Sequence, residues 1–251
     1  MKHKKTETNG THATDVQDIV RPLVTVDVVI FTVLEGRLNV LLVSRPDEPG
    51  EPFPGMWALP GGFVDVEQDA DLESCALRKL QLKTGVKSPY LEQVGSWGSS
   101  KRDPRGWSAT HVYFALIPTP EQPLQGANHS SAAWFPVEEL RVKLAFDHGK
   151  LLDAAIQRLR NKVEYTSLPA FLLPREFTLG DLQHMYEVVL ERTLEKSAFR
   201  TRVFAAGLVE AVDKVRSGPN RPAQLYRLTH PHEIVYFPRT FSPRKGGKID
   251  Y

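Results

Sequence analysis

The chain has 251 residues, a formal net charge of +2 and 41% hydrophobic residues, so its length and composition predict two ordinary globular domains rather than a disordered or fibrous protein. The single cysteine, Cys75, excludes an intrachain disulfide and favours a reducing compartment. Because no apolar run approaches the roughly 18 residues of a membrane span, and residues 1–20 resemble a flexible polar tail rather than a signal segment, we expect a cytoplasmic protein without a membrane partner.

Apolar patterns predict the elements of the first domain in chain order. Residues 23–33 are almost continuously apolar and rich in β-branched side chains, and residues 39–44 form a second apolar run after a short connection. A loop rich in Pro and Gly, residues 45–56, then leads to a segment with helical spacing. The later predicted elements are strands over 91–97, over 110–117 and around Trp134, and a helix over 148–163.

A glycine-rich turn and a helical segment follow each other over residues 57–86. The turn has the sequence Trp-Ala-Leu-Pro-Gly-Gly-Phe, and the helix is followed by Thr-Gly-Val. Arg78, Leu80, Gly85 and Val86 stand at positions that this pattern shares with the box of the Nudix family, which hydrolyses nucleoside diphosphates linked to another group. The resemblance implies a Nudix-like α/β/α sandwich with a mixed sheet over residues 21–162.

The carboxylates of that box are missing at the positions where its chemistry needs them. Mg²⁺ takes oxygen ligands, and a Nudix helix supplies glutamates so that the metal polarises the diphosphate and activates water. Here the positions hold Lys79, Leu82 and Lys83. We therefore predict no catalytic residue, no metal, no required cofactor and no hydrolysis. The alternative is an atypical Nudix hydrolase of ADP-ribose-like nucleoside diphosphates that uses nearby acids. Those acids are Glu67, Asp69 and Glu73.

Two of the replacing residues are cations four positions apart. A helix places Lys79 and Lys83 on one face, and lysine binds phosphate as a point charge. We interpret the pair as cations that accept a nucleotide diphosphate without cutting it. The alternative is two solvated lysines on an ordinary amphipathic helix.

Further ligand contacts are predicted from arginines and aromatic residues. Residues 102–105 have the sequence Arg-Asp-Pro-Arg, which resembles the same loop in ADP-ribose-binding Nudix proteins, and a guanidinium fork grips phosphate oxygens at two points. A charged loop held by Asp and Pro turn chemistry is the alternative. Trp57 and Phe63 are candidates to stack on adenine, with a core position as the alternative. The complete predicted ADP-ribose site is Arg45, Trp57, Gly62, Phe63, Lys79, Lys83, Arg102, Asp103 and Arg105.

The last third of the chain is basic and has a different pattern. Residues 196–248 contain eleven Lys and Arg against three acids, which suggests a polyanionic partner. Thr178 is a candidate N-cap with Asp181 three residues later, and the helix that it opens extends to about residue 191. A second helix over 194–206 ends at Gly207.

Apolar and polar residues alternate over residues 208–229 on both sides of a turn that contains two arginines, which is typical of a β-hairpin. Helix, turn, helix and basic-tipped hairpin is the order of a winged helix-turn-helix, whose second helix enters the major groove while the wing contacts the backbone. The alternative is a small helical interaction domain with a solvated basic surface. The predicted DNA-binding residues are Lys196, Ser197, Arg200, Thr201, Arg202, Arg216 and Arg221.

Together these features resemble the Nudix-related transcriptional regulators of NAD metabolism. In that family the Nudix-like domain senses ADP-ribose or a related product of NAD turnover, and the winged helix binds operators as a homodimer. The resemblance implies an α+β protein with a tail over residues 1–20, a sensor over 21–162 and a DNA-binding domain over 163–251. It implies an ADP-ribose-responsive regulator, a repressor, of NAD biosynthesis or salvage genes, with double-stranded operator DNA as partner. A binding scaffold with neither operator nor chemistry is a further alternative beside the hydrolase.

Overall fold

The computed structural model of the chain describes residues 21–85, 90–118, 132–217 and 222–238. The predicted tail, residues 1–20, lies outside the described residues. Within them, one mixed sheet with two flanking helices is followed by two further helices and a small antiparallel sheet.

Seven strands form the first sheet in the described part of the chain. Its central strand, β1 (Leu23–Leu34), pairs in parallel with β6 (Ser108–Leu116) on one side. On the other side it pairs antiparallel with β2 (Arg37–Ser44) and β4 (Gly61–Phe63). The outer strands, all antiparallel to their neighbours, are β5 (Tyr90–Ser99) beside β6, and β3 (Trp57–Ala58) and β7 (Ala132–Pro136) beside β2. The predicted mixed sheet is confirmed.

One helix packs on each face of this sheet, which makes the predicted α/β/α sandwich. α1 (Leu72–Thr84) begins at Asp71, whose side chain forms a capping box with Ser74, and ends at Gly85 in the left-handed conformation at φ 72°. α2 (His148–Val163) closes the other face and has the predicted bounds. Because β1 lies between the two helices, alternate apolar side chains along it are buried on both faces.

The C-terminal part has the predicted winged-helix order. α3 (Leu179–Leu190) begins at the predicted N-cap Thr178, which forms a capping box with Asp181. α4 (Lys196–Ala205) starts two residues later than predicted because the Glu195 side chain accepts the amide hydrogens at the helix start. The wing consists of β9 (Val209–Arg216) and β10 (Ala223–Leu228), and it pairs with the short strand β8 (Phe177–Thr178), which the sequence pattern did not predict.

One of the two buried apolar clusters in the described part of the chain extends through both halves. Leu151 and Leu159 of α2 pack against the first sheet and belong to the same buried cluster as Leu182 of α3 and Phe199 of α4. A short 3-10 turn, Leu168–Leu172, lies between the halves and is buried in this cluster. Within the described residues, no helix is long and apolar enough to cross a membrane.

Candidate functional site

A pocket of about 190 Å³ opens in the first domain beside the central strand. On this side of β1, β4 pairs with residues 25–27 and β2 pairs with residues 31–34. The pocket forms in the gap between β4 and β2, beside the intervening residues of β1. The loop after β2, the Gly-Gly turn, the loop between β5 and β6 and the start of α2 form its walls. A larger groove of about 960 Å³ separates α1 from the wing, but six of the nine predicted ligand-binding residues line the smaller pocket.

Two predicted arginines lie beside the same aromatic ring in this pocket. The guanidinium carbon of Arg45 is 4.8 Å from the ring centre of Phe146, and that of Arg105 is 6.0 Å from the same centre and 4.9 Å from the ring of Phe63. Arg45 donates to Glu51 at 2.7 Å. These contacts hold both guanidinium groups at the wall of the pocket.

Asp103 holds Arg105 in place from within the loop. It accepts hydrogen bonds from Nε and Nη2 of Arg105 at 3.0 and 2.8 Å, whereas Nη1 makes no hydrogen bond with the described residues. Burial alone would raise the pKa of Asp103, but its hydrogen bonds with Arg105 outweigh burial and hold that pKa below its ordinary value. Asp103 therefore serves as a carboxylate that orients Arg105.

Arg102 lies deeper and is bonded to the protein itself. It is 8% exposed, donates to Asp147 at 2.9 Å and to Ser108 at 3.3 Å, and lies 3.7 Å from Asp27. These partners come from β1, β6 and the residue before α2. The sequence pattern predicted that Arg102 binds phosphate. In the structure its guanidinium group instead bonds to side chains at the base of the pocket.

The two lysines of α1 lie on one side of the helix, as predicted. Lys83 lines the pocket, and its pKa is lowered by burial and by the neighbouring charge of Lys79. The Lys79 ammonium lies 3.1 Å from the place that a Cβ on Gly62 would take, and Gly62 has φ +140°. A side chain at Gly62 would therefore crowd Lys79 as well as strain the turn. Leu82, the third residue that replaces a carboxylate of the box, is 51% exposed and does not line the pocket.

The two predicted stacking residues have different surroundings. Phe63 is 44% exposed and lies beside Arg105. Trp57 instead packs edge-on against Phe135 at 4.9 Å and is not among the residues that line the pocket. The adenine-stacking role predicted for Trp57 thus has no support in its position, because the ring is used for packing between β3 and β7.

The three acids of the hydrolase alternative do not converge. Both oxygens of Asp69 accept hydrogen bonds from Arg78 at 2.6 Å, and these bonds hold the pKa of Asp69 far below its ordinary value. Glu67 is exposed, and Glu73 lies on the wall of the larger groove. In the described part of the chain, no three His, Cys, Asp or Glu side chains are grouped so that they could hold a metal ion.

The candidate DNA-binding surface is the outer face of α4. Phe199 and Val203 are buried against the core, which turns the intervening residues to solvent. Glu195 caps the helix by accepting the amide hydrogen of Ser197 at 2.8 Å. The exposed predicted residues on this helix are Lys196, Ser197, Arg200, Thr201 and Arg202.

Two of the cations predicted to bind DNA make contacts within the chain. Arg202 donates to the main-chain oxygen of Glu164 at 2.7 Å, and its guanidinium carbon lies 4.6 Å from the ring centre of Phe237. Arg216 on the wing pairs with Asp181 at the start of α3 at 2.9 Å. Arg202 is therefore better placed to anchor α4 than to reach a base. The predicted contact Arg221 lies outside the described residues.

Comparisons with known proteins agree with both halves of the structure. A model of the NUDIX domain matches residues 22–155, and a model of the NrtR DNA-binding winged helix domain matches residues 169–228. The chain is 50% identical over 225 residues to the ADPR responsive transcriptional repressor NtrR of Acinetobacter baylyi, and the match covers 88% of each chain. The chain belongs to the NrtR family.

Solved structures of this family support the same assignment. Shewanella oneidensis NrtR complexed with a 27mer DNA is 43% identical, with a TM-score of 0.75 over 82% of this chain and 93% of that chain. The NUDIX domain of the same protein complexed with ADP ribose is also 43% identical, with a TM-score of 0.52 over 59% of this chain and 94% of that chain. The predicted fold class and family are confirmed.

Asp27, His148 and Phe146 are among the pocket residues that the sequence reasoning missed. Asp27 is a lone acid in an apolar strand, which is a signal that could have identified it. His148 begins the closing helix, where nothing in the local pattern distinguishes it from a cap residue. Phe146 has a positive φ of 53°, and such a conformation for a large residue cannot be inferred from its neighbours.

Proposed function

We propose that this NrtR-family chain is an ADP-ribose-responsive transcriptional repressor that acts on genes of NAD biosynthesis or salvage and binds its operator as a homodimer. The observation that carries the proposal is that one chain combines a cation-lined pocket with a winged helix that has a cationic outer face. The relatives support it, because one is named as an ADPR responsive repressor and another was solved with DNA and, as its NUDIX domain, with ADP ribose.

The pocket suits a diphosphate that is held rather than cleaved. Lys83, Arg45 and Arg105 bring positive charge to it, and charged donors bind phosphate oxygens more strongly than neutral ones do. Lys79, Leu82 and Lys83 replace the carboxylates that would hold Mg²⁺, and Asp69 is bonded to Arg78. We therefore infer that ADP-ribose is an effector of this protein and not its substrate.

α2 connects the pocket to the DNA-binding helices. Its first residue, His148, lines the pocket. At its other end, Arg160 donates to the main-chain oxygen of Val189 in α3 at 3.2 Å, and Arg202 of α4 donates to the main-chain oxygen of Glu164 at 2.7 Å. A shift of α2 on ligand binding would thus change the position of the helices that contact DNA.

Direct binding to the full chain tests the proposal. In buffer containing a chelator, calorimetry is expected to show saturable ADP-ribose binding, and duplexes selected by the protein are expected to share a sequence. With Mg²⁺ added, AMP is expected to form far below the ordinary enzyme range of about 1 per second or more. A rate within that range would establish the hydrolase alternative, and failure to bind either molecule would contradict the proposed function.

A further inference from the structure

Two buried polar side chains meet at the base of the ligand pocket. Asp27 on β1 and His148 at the start of α2 are each 5% exposed, and both line the pocket. Oδ1 of Asp27 lies 3.7 Å from Nε2 of His148. This separation is longer than a hydrogen bond, so the two groups face each other without bonding directly.

The hydrogen-bond partner of His148 fixes the position of its ring proton. Nδ1 accepts the main-chain N–H of Leu59 at 2.9 Å, so it carries no proton. Burial lowers the pKa of His148 and keeps the ring neutral. The one ring proton is therefore on Nε2, and this N–H donor faces Oδ1 of Asp27.

The other oxygen of Asp27 is already bonded. Oδ2 accepts the hydroxyl of Thr110 at 2.7 Å and lies 3.7 Å from Nη2 of Arg102. A Cβ atom on residue 61 would stand only 2.2 Å from Oδ1. The glycine at this position therefore keeps Oδ1 free of a steric clash. The pocket thus presents one acceptor, Oδ1, beside one donor, Nε2–H.

We infer that Asp27 and His148 together bind one ribose hydroxyl of the effector, with the hydroxyl hydrogen donated to Oδ1 and its oxygen accepting the Nε2–H bond. A hydroxyl carries one donor and two acceptor positions, which matches this pair. Neither a phosphate nor an apolar group satisfies both partners, because an ionised phosphate oxygen has no hydrogen to donate to the carboxylate.

The dimensions of the pocket agree with this assignment. Its volume of about 190 Å³ is below the roughly 300–1,000 Å³ of pockets that enclose a whole drug-sized ligand, so it encloses only part of ADP-ribose. The cations of Lys83, Arg45 and Arg105 line the same pocket and suit the diphosphate. The sugar is the part of the ligand that carries hydroxyls, and the buried pair would select for it.

The inference rests on the proposed function, and calorimetry of four probes with wild-type and Asp27→Asn protein tests it. The probes are ADP-ribose, ADP, ribose 5-phosphate and inorganic pyrophosphate. We expect Asp27→Asn to bind ADP-ribose about tenfold more weakly, since the amide oxygen that replaces the carboxylate accepts the hydroxyl in a neutral rather than a charge-assisted hydrogen bond. The same loss is expected for the fragment that carries the recognised ribose: ADP for the adenosine sugar, ribose 5-phosphate for the terminal one.

Pyrophosphate separates hydroxyl recognition from a general effect on the pocket. It has no sugar hydroxyl, so its affinity should be unchanged or higher when the negative charge of Asp27 is removed. The matched control is Glu139→Gln, which removes a carboxylate of the same domain that pairs with Arg37 outside the pocket. This control should bind all four probes as the wild type does.

A measurement on the unaltered protein covers the case in which Asp27→Asn does not fold. The ring ¹⁵N signals of His148 should show the neutral tautomer protonated at Nε2, and the Nε2 signal should shift at saturating ADP-ribose. An unshifted Nε2 signal, equal ADP-ribose affinity of wild type and variant, or an equal loss for pyrophosphate would overturn the inference. Wild-type protein that binds no ADP-ribose would instead contradict the proposed function.

Discussion

At the scale of single residues, the proposal that this chain is a sensor and not an enzyme depends most on Lys83. It stands where the Nudix box has a metal-binding carboxylate, and its ammonium group lines the pocket. Burial and Lys79 lower its pKa, which indicates that the charge is held in a confined and positive environment. A bound diphosphate would relieve the repulsion between the ammonium groups of Lys79 and Lys83.

We predict that Lys83→Glu weakens ADP-ribose binding by at least about tenfold in metal-free buffer, because a charge-assisted hydrogen bond is replaced by repulsion. Calorimetry with the full chain measures the change. Lys150→Glu is the matched control, since Lys150 is exposed on α2 and does not line the pocket. Equal affinity of Lys83→Glu and wild type would show that Lys83 is only a solvated residue.

His148 makes the stability of the protein depend on pH. Burial lowers its pKa in the folded state, although Asp27 and Asp147 oppose that effect and Arg102 and Arg45 add to it. The unfolded chain therefore takes up a proton near pH 6.5 that the folded chain does not. The neutral His148 ring therefore contributes fully to the stability of the folded state above about pH 6.5. This contribution is lost as the pH falls from there toward the pKa of His148 in the folded state.

The expected loss is at most about 1.4 kcal/mol per pH unit in the free energy of unfolding. Urea unfolding at several pH values between 7 and 5, compared with a His148→Asn variant, isolates this contribution from that of the other histidines. Asn places an acceptor oxygen where Nδ1 accepts the Leu59 amide, and it does not titrate. Parallel pH curves for the two proteins would contradict the assignment of a neutral buried His148.

At the scale of elements, α4 carries both a candidate DNA contact and a residue that anchors the helix to the rest of the chain. Arg200 is exposed and points away from the buried face, whereas Arg202 bonds to Glu164 and packs on Phe237. We predict that Arg200→Ala costs about 1–3 kcal/mol of affinity for the preferred duplex, mainly through base contacts. Arg202→Ala is expected to lower the free energy of unfolding by about 0.5–1.5 kcal/mol, since one hydrogen bond is lost.

Fluorescence anisotropy of labelled duplexes and urea unfolding of both variants measure these two effects. Arg200→Ala serves as the stability control for Arg202→Ala, because it shortens an arginine of the same helix that makes no hydrogen bond or ion pair with the described residues. If Arg200→Ala binds the preferred duplex as tightly as wild type does, α4 is an interaction surface of another kind.

The elements themselves were largely predictable from local chemistry, and the site was only partly so. The capping boxes at Asp71 and Thr178 and the glycine at 85 mark helix ends that depend on a few neighbouring residues. The role of Arg102 depends on Asp147, which is 45 positions away in the sequence. Because the fold determines such a partner, the local sequence pattern identified Arg102 as a pocket cation but could not predict that it bonds to Asp147.

At the scale of the whole molecule, regulation requires that the two sites be coupled. α2 begins in the pocket at His148 and ends against α3 and α4, and its apolar face belongs to one continuous core. A packed helix transmits a displacement better than a flexible linker does, because close-packed interiors have few small adjustments available. The ligand can shift the DNA-binding state only by the difference between its affinities for the two states.

The measurement that tests this account most directly is a titration of ADP-ribose into a fluorescent operator complex of the full chain. ADP-ribose should lower operator affinity by about 5- to 150-fold, and the operator should lower ADP-ribose affinity by the same factor. Ile156→Asn, in the packed face of α2, should reduce this coupling, whereas Asp153→Asn on its exposed face should not. Constant anisotropy at saturating ADP-ribose, with both molecules shown to bind, would contradict the account.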